Sequence, residues 1–178
     1  RHYGSGISAG DINQDGWMDL YVGSLGTNRI LINNGDGTFK DATLDLGENT
    51  DQFTTSLGIA DLDGDALPDL FESIYIEMEG AFALPEIGED GKEVQPSPLE
   101  FYAESDRWFK NLGDGTFEMQ SIPREDARPG TSLGLIITNF DNQPGNEIFV
   151  GNDVRPNHFL RHRNYTNPPQ NVQAGENR

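Results

Sequence analysis

Asp11-Ile12-Asn13-Gln14-Asp15-Gly16-Trp17-Met18-Asp19-Leu20-Tyr21-Val22 is the stretch that decides the fold, because it returns. The second copy is Asp61-Leu62-Asp63-Gly64-Asp65-Ala66-Leu67-Pro68-Asp69-Leu70-Phe71, and a weaker third runs Asn139-Phe140-Asp141-Asn142-Gln143-Pro144-Gly145-Asn146-Glu147-Ile148-Phe149-Val150. Downstream lies a second shared block. Asn28-Arg29-Ile30-Leu31-Ile32-Asn33-Asn34-Gly35-Asp36-Gly37-Thr38-Phe39 is matched by Asp106-Arg107-Trp108-Phe109-Lys110-Asn111-Leu112-Gly113-Asp114-Gly115-Thr116-Phe117 and, in shortened form, by Asn157-His158-Phe159-Leu160-Arg161.

Working outward, residues 7–12, 20–24, 29–33 and 38–43 are short runs rich in β-branched and aromatic residues, separated by Gly, Asp and Asn clusters. That is the composition of strands and turns. Asn34-Gly35-Asp36-Gly37 and Leu112-Gly113-Asp114-Gly115 supply the positive-φ residues of a tight hairpin between the third and fourth strands. No helical period is sustained anywhere. Four-stranded units recurring every ~50 residues predict propeller blades. The expected fold class is therefore all-β: a partial β-propeller of about three blades, cut from a larger ring of about seven. Blade 1 is expected over residues 1–52, blade 2 over 53–130 and blade 3 over 131–165, the last lacking its final strand, with 166–178 a polar tail. The chain opens on Arg1, inside the pattern, and is read as a fragment.

The spacing carries chemistry. Calcium is a hard cation that takes six to eight oxygens, and a tight loop with donors at alternate positions delivers them. In the first loop the donors are Asp11, Asn13, Asp15 and Asp19, with the backbone carbonyl of Trp17 between them; Gly16 permits the sharp turn. The second offers Asp61, Asp63, Asp65 and Asp69 with the Leu67 carbonyl, but carries Ala66 where the first has Gly16, at a cost of about 1 kcal/mol if that backbone is left-handed. The third has Asn139, Asp141, Gln143 and Glu147 with the Gly145 carbonyl; only two of these are charged, so two Ca²⁺ sites are expected in the first two loops and the third is the poorest. Each loop runs into a strand after nine residues, unlike an EF-hand, which needs flanking helices and a Glu at position 12.

The pattern resembles the FG-GAP/VCBS repeat family of calcium-binding β-propellers, as in integrin α-subunit heads. The block at residues 33–39 is most similar to the proteins related to cartilage acidic protein, of ASPIC/UnbV type. The resemblance covers nearly the whole chain except residues ~76–105 and the tail. It implies that the Asp-rich loop joins the first two strands of a blade and binds calcium through Asp11, Asn13, Asp15 and Asp19. Ala66, Asn139 and Gln143 depart from the family pattern.

Composition narrows the function. Twelve Lys+Arg against 30 Asp+Glu give a net charge of −18, which repels phosphate backbones and anionic headgroups. With no Cys there is no disulfide, thiolate metal site or cysteine nucleophile. No apolar run approaches the ~18 residues of a membrane span. The only histidines are His2, His158 and His162, and Gly4-Ser5-Gly6 and Thr131-Ser132 lack the strand-turn-helix setting of a nucleophile elbow. Arg155, His158, Arg161, His162 and Arg163 form one basic patch, read as strand edge and surface, while Trp17, Trp108, Phe109 and Phe159 are read as core or blade-to-blade packing.

One segment breaks the repeat arithmetic. Asp19 and Arg29 are 10 positions apart and Glu147 and His158 11, but Asp69 and Arg107 are 38 apart. An insertion at about 76–105 therefore separates the second and third strands of blade 2. It holds Glu77, Glu79, Glu86, Glu89, Asp90, Glu93, Glu100 and Glu104 against Lys92, and Glu89-Asp90-Gly91-Lys92 reads as a hairpin tip.

These features converge on a non-enzymatic, calcium-stabilised module in an extracellular, cell-surface or periplasmic setting, presenting loops to a protein or glycan ligand without binding nucleic acid or inserting into a membrane. Two alternatives stay open: the propeller part of a secreted lyase- or hydrolase-type enzyme, and an assembly subunit gripping a partner through the acidic insertion.

Overall fold

A computed structural model of the chain describes residues 3–46, 51–120, 122, 129–161 and 170–173. His2, His162, Arg163 and most of the expected tail lie outside the described residues. The chain is all-β and forms a partial β-propeller of three blades. Blade 1 comprises β1 (Tyr3–Gly10), β2 (Asp19–Gly26), β3 (Arg29–Asn33) and β4 (Phe39–Asp41). Blade 2 comprises β5 (Gln52–Ala60) and β6 (Asp69–Ile74), followed after the insertion by β9 (Arg107–Asn111) and β10 (Phe117–Gln120). All neighbours within a blade pair antiparallel. Blades 1 and 2 also share a seam, since Leu25 and Gly26 at the end of β2 pair with Phe53 and Gln52 of β5.

Blade 3 differs from its expected form. Besides β11 (Ser132–Thr138), β12 (Glu147–Asn152) and β13 (His158–Arg161), it has a fourth strand, β14 (Gln170–Gln173), inside the segment assigned to a polar tail. Pro168-Pro169, which reads as a terminator, lies outside the described residues. An outermost strand is held by main-chain hydrogen bonds to one neighbour and needs no apolar pattern.

Strand alternation builds two cores. Leu70 and Phe71 are adjacent in β6 and point to opposite faces. Leu70 joins Tyr21, Ile30, Leu57 and Phe109 between blades 1 and 2. Phe71 joins Trp108, Ile148, Val150 and Leu160 between blades 2 and 3. Each fully buried side chain of this size contributes roughly 1.5–3 kcal/mol. Blade 2 is thus covered on both faces, whereas Ile7, the blade 1 counterpart of Leu57, is 65% exposed. Trp108 and Phe109 take the packing role expected of them. Trp17 does not: it is 52% exposed and lies over the β3–β4 hairpin, where a Cβ on Gly35 would come within 2.9 Å of the indole Nε1.

A charged cluster lies in the first core. Glu72 accepts hydrogen bonds from Arg107 Nε (2.7 Å), Asn28 Nδ2 (2.7 Å) and the Tyr21 hydroxyl, and pairs with Arg107 Nη2 at 2.6 Å. Burial, together with the Glu72 charge, pushes the Tyr21 hydroxyl well above its ordinary value, so it stays a donor. Every oxygen of Glu72 is satisfied, which is the condition for tolerating a buried carboxylate.

The insertion folds as a short helix, α1 (Met78–Ala81), and a small hairpin of β7 (Glu86–Ile87) and β8 (Glu93–Val94). The tip forms where it was expected, with Gly88 N donating to Lys92 O at 2.8 Å and Gly91 at φ 78°.

Candidate metal loops

All three Asp-rich loops join the first and second strands of their blades, and they stand side by side along one edge. Gln14 Nε2 of the first donates to Ala66 O of the second at 2.8 Å. Asn146 of the third donates to Asp61 O through its backbone N (2.9 Å) and its side-chain Nδ2 (2.7 Å). The second loop is therefore flanked on both sides. This explains why Asp63 is buried while its counterpart Asn13 is exposed.

Within each loop the carboxylates first hold the turn. Asp11 accepts from the backbone N–H groups of Asp15 (3.0 Å) and Gly16 (2.8 Å), and Asp61 from those of Gly64 (2.7 Å) and Ala66 (2.9 Å). Asp15 and Asp65 each accept from the residue two positions on, Trp17 and Leu67, at 2.9 Å. The turn needs left-handed backbone at its sixth position, φ 91° at Gly16 and φ 70° at Ala66, so the strain foreseen for Ala66 is present. The third loop places Pro144 at that position, where φ is locked negative. It has left-handed Gly145 at the seventh position instead, while Asn142 at the fourth matches left-handed Gln14 and Gly64 of the other loops, and Asp141 accepts from Gln143 N at 2.9 Å.

The ninth residue has a role that spacing did not reveal. Asp19, fully buried, accepts from Ile12 N and Asn33 N, both at 2.8 Å. Asp69, also fully buried, accepts from Leu62 N (3.1 Å) and Asn111 N (2.9 Å). Each carboxylate thus ties its loop to the end of the third strand. Asn33 and Asn111 complete the tie by donating to Met18 O (3.1 Å) and Pro68 O (3.0 Å). Glu147 accepts from Phe140 N at 2.6 Å in the third loop. Burial lifts the Asp69 carboxyl to about 7; the N–H groups of Asn111 and Leu62 oppose the rise, and the nearby Asp63 charge adds to it.

One cluster stands out among the described residues. Asp61, Asp63 and Asp65 present carboxylate oxygens that all lie within 4.8 Å of one another, which suits an oxygen-preferring divalent cation. The same cluster holds a residue absent from the sequence reading. Lys110 Nζ, from β9, contacts Asp65 Oδ2 at 2.7 Å and is bonded to Asp63 Oδ2. Burial alone would lower the Lys110 pKa, but the hydrogen bonds and charges of Asp63 and Asp65 outweigh it and raise it. Burial likewise works to raise Asp65, and the Lys110 and Leu67 contacts overcome it, holding the carboxyl below its ordinary value. The available signal was the repeat alignment itself, which sets Lys110 against Ile32 of blade 1 and Arg161 of blade 3.

The other candidates resolve into packing. His158 is buried in β13 opposite Val150 rather than on a basic surface, while Arg155 and Arg161 are half-buried. Ser5 Oγ donates to Thr54 O, and Ser132 Oγ to Asn152 Oδ1 at 3.0 Å. A cleft of about 220 Å³ between the first two blades is lined by Ile12, Asn13, Ile32, Lys40, Asn111 and Phe117 among others.

The repeat, the blade and the loop geometry point to a known repeat type. Residues 4–72 match the family model described as an FG-GAP-like repeat. The matched span takes in blade 1 from Gly4 onward and, in blade 2, β5, the loop after it and β6 as far as Glu72. No curated protein matches the chain at a significant level. Within the FG-GAP-like segment lie the first two Asp-rich loops. Among the described residues no helix is long and apolar enough to cross a membrane.

Proposed function

We propose that the protein is a calcium-binding propeller module whose first two loops hold structural Ca²⁺ and whose exposed segments meet a protein or glycan partner outside the cell or in the periplasm. The observation that carries this reading is the convergence of Asp61, Asp63 and Asp65 on one point in a loop that recurs from blade to blade. A cation bound there relieves repulsion between the clustered carboxylates and favours the folded state by mass action. Extracellular modules bind calcium at about 10⁻⁴–10⁻³ M, within reach of the free calcium outside cells. The likeness to calcium-binding propellers of cartilage acidic protein type supports the same reading.

The test is a thermal melt in calcium and in EDTA. At 100 times Kd each site adds about 2.7 kcal/mol, so saturation should raise the midpoint by about 5–10 °C per site. An unchanged midpoint on chelation would sink the calcium reading.

A second reading, assembly through the insertion, is favoured by a separate observation. Leu84 (81% exposed) and Tyr102 (80%) stand in the open, as do Phe82, Ile87, Val94 and Leu99 of the same insertion. Apolar side chains gathered on an acidic appendage fit a partner with an apolar, basic surface. Deleting residues 78–104 should abolish partner binding and leave calcium affinity intact; loss of both would refute a separate partner-binding role.

A further inference from the structure

We propose that Lys110 is the second loop's own cation, seated on Asp63 and Asp65 where a divalent ion would sit, so that calcium enters this loop only by displacing it. The inference rests on the calcium reading above and adds a regulator to it.

Three observations support it. First, the contact spans two elements. Lys110 comes from β9, and its Nζ reaches oxygens of both Asp63 and Asp65 in the loop between β5 and β6. A single ammonium bridging two of the three converging carboxylates offsets part of their repulsion, and a cation with three donors is suited to doing so.

Second, the strand that carries it is fixed. Its neighbour Phe109 is fully buried opposite Leu70, while Asn111 is bonded through its backbone N to Asp69 and through its side chain to Pro68. These ties hold β9 in register against the loop. The amine itself has an exit, since the Lys110 side chain is 28% exposed and Asp65 33%. A flexible four-carbon stem can therefore swing to solvent without disturbing the strand.

Third, the first loop lacks the device. The position of Lys110 is occupied there by Ile32, which packs on the core between blades 1 and 2. The two loops are thus alike in spacing but differ in what neutralises them without metal. The second should stay ordered in chelator and bind calcium more weakly than its carboxylate count implies.

The experiment uses the whole chain with Asp11→Asn and Asp15→Asn, so that calcium added alone reports the second loop. Isothermal titration calorimetry at low salt compares this background with the same background carrying Lys110→Met, which keeps the stem and removes the charge. The expected result is about tenfold tighter calcium binding with Lys110→Met, and a lower melting midpoint in EDTA. Lys110→Arg should keep binding weak, and Lys110→Gln repeats the comparison should the Met variant not fold. Unchanged or weaker affinity in a folded neutral variant overturns the proposal and leaves the calcium reading standing. Absence of calcium binding with either residue at 110 overturns both.

Discussion

The first and second Asp-rich loops share their nine-residue spacing and their backbone turn, yet the two sites differ in physical character. The first is open: Asn13, Asp15 and Gly16 face solvent, and its sixth residue is the glycine that the turn prefers. The second is enclosed between its neighbours, carries one more carboxylate, tolerates a strained alanine and holds a lysine among its acids. A repeat fixes where donors are placed along the chain. Position within the array fixes how much water reaches them, and hence how strongly their charges act on one another.

The comparison can be broken in several ways. The largest effect concerns Asp69. Its folded carboxyl is raised to about 7 against an ordinary 3.8, so between those values the native state keeps a proton that the unfolded chain has released. In EDTA, this contribution to stability should fall by about 4 kcal/mol as pH rises from 3 to 8. Calcium should flatten the slope by competing with the proton. Urea titrations at several pH values with and without calcium would measure it, and parallel curves would refute the assignment.

Asp19→Ala should cost about 3 kcal/mol in chelator, because it strands the N–H groups of Ile12 and Asn33. Asp15→Ala, in the exposed part of the same loop, should cost under about 0.5 kcal/mol without calcium. If Asp19→Ala destabilises only in the presence of calcium, the carboxylate is a ligand and not a clamp.

The smallest effect tests the turn. Ala66→Gly should stabilise, and Gly16→Ala destabilise, each by about 1 kcal/mol, since both positions are left-handed and a Cβ on Gly16 meets nothing within 4 Å. Equal and opposite shifts in denaturation midpoint are expected; a null result at Ala66 would mean that its neighbours already compensate the strain.

Most of the fold was legible because its causes are local. Asp36 and Asp114 each accept from the backbone and hydroxyl of the Thr two residues on, so Gly-Asp-Gly-Thr encodes its hairpin within one segment. The loops were readable for the same reason. What escaped depends on tertiary neighbours. Lys110 meets Asp65 across 45 positions, and in sequence it looks like any polar strand residue. Trp17 looked like core, but its side chain caps a hairpin glycine at the surface. The clamping by Asp19 and Asp69 was hidden because one residue type serves both metal ligation and main-chain capture. Strand β14 escaped because the far side of a ladder needs little apolar content.

The seam in which β2 pairs with β5 sets how the protein would bear a load. Pulled from its ends, the pair of blades joined by main-chain hydrogen bonds at Leu25–Phe53 and Gly26–Gln52 must rupture as one block. Blade 3, whose ladder is a separate sheet, can detach first. Force extension of the single molecule would then show one early, low-force step followed by a larger one.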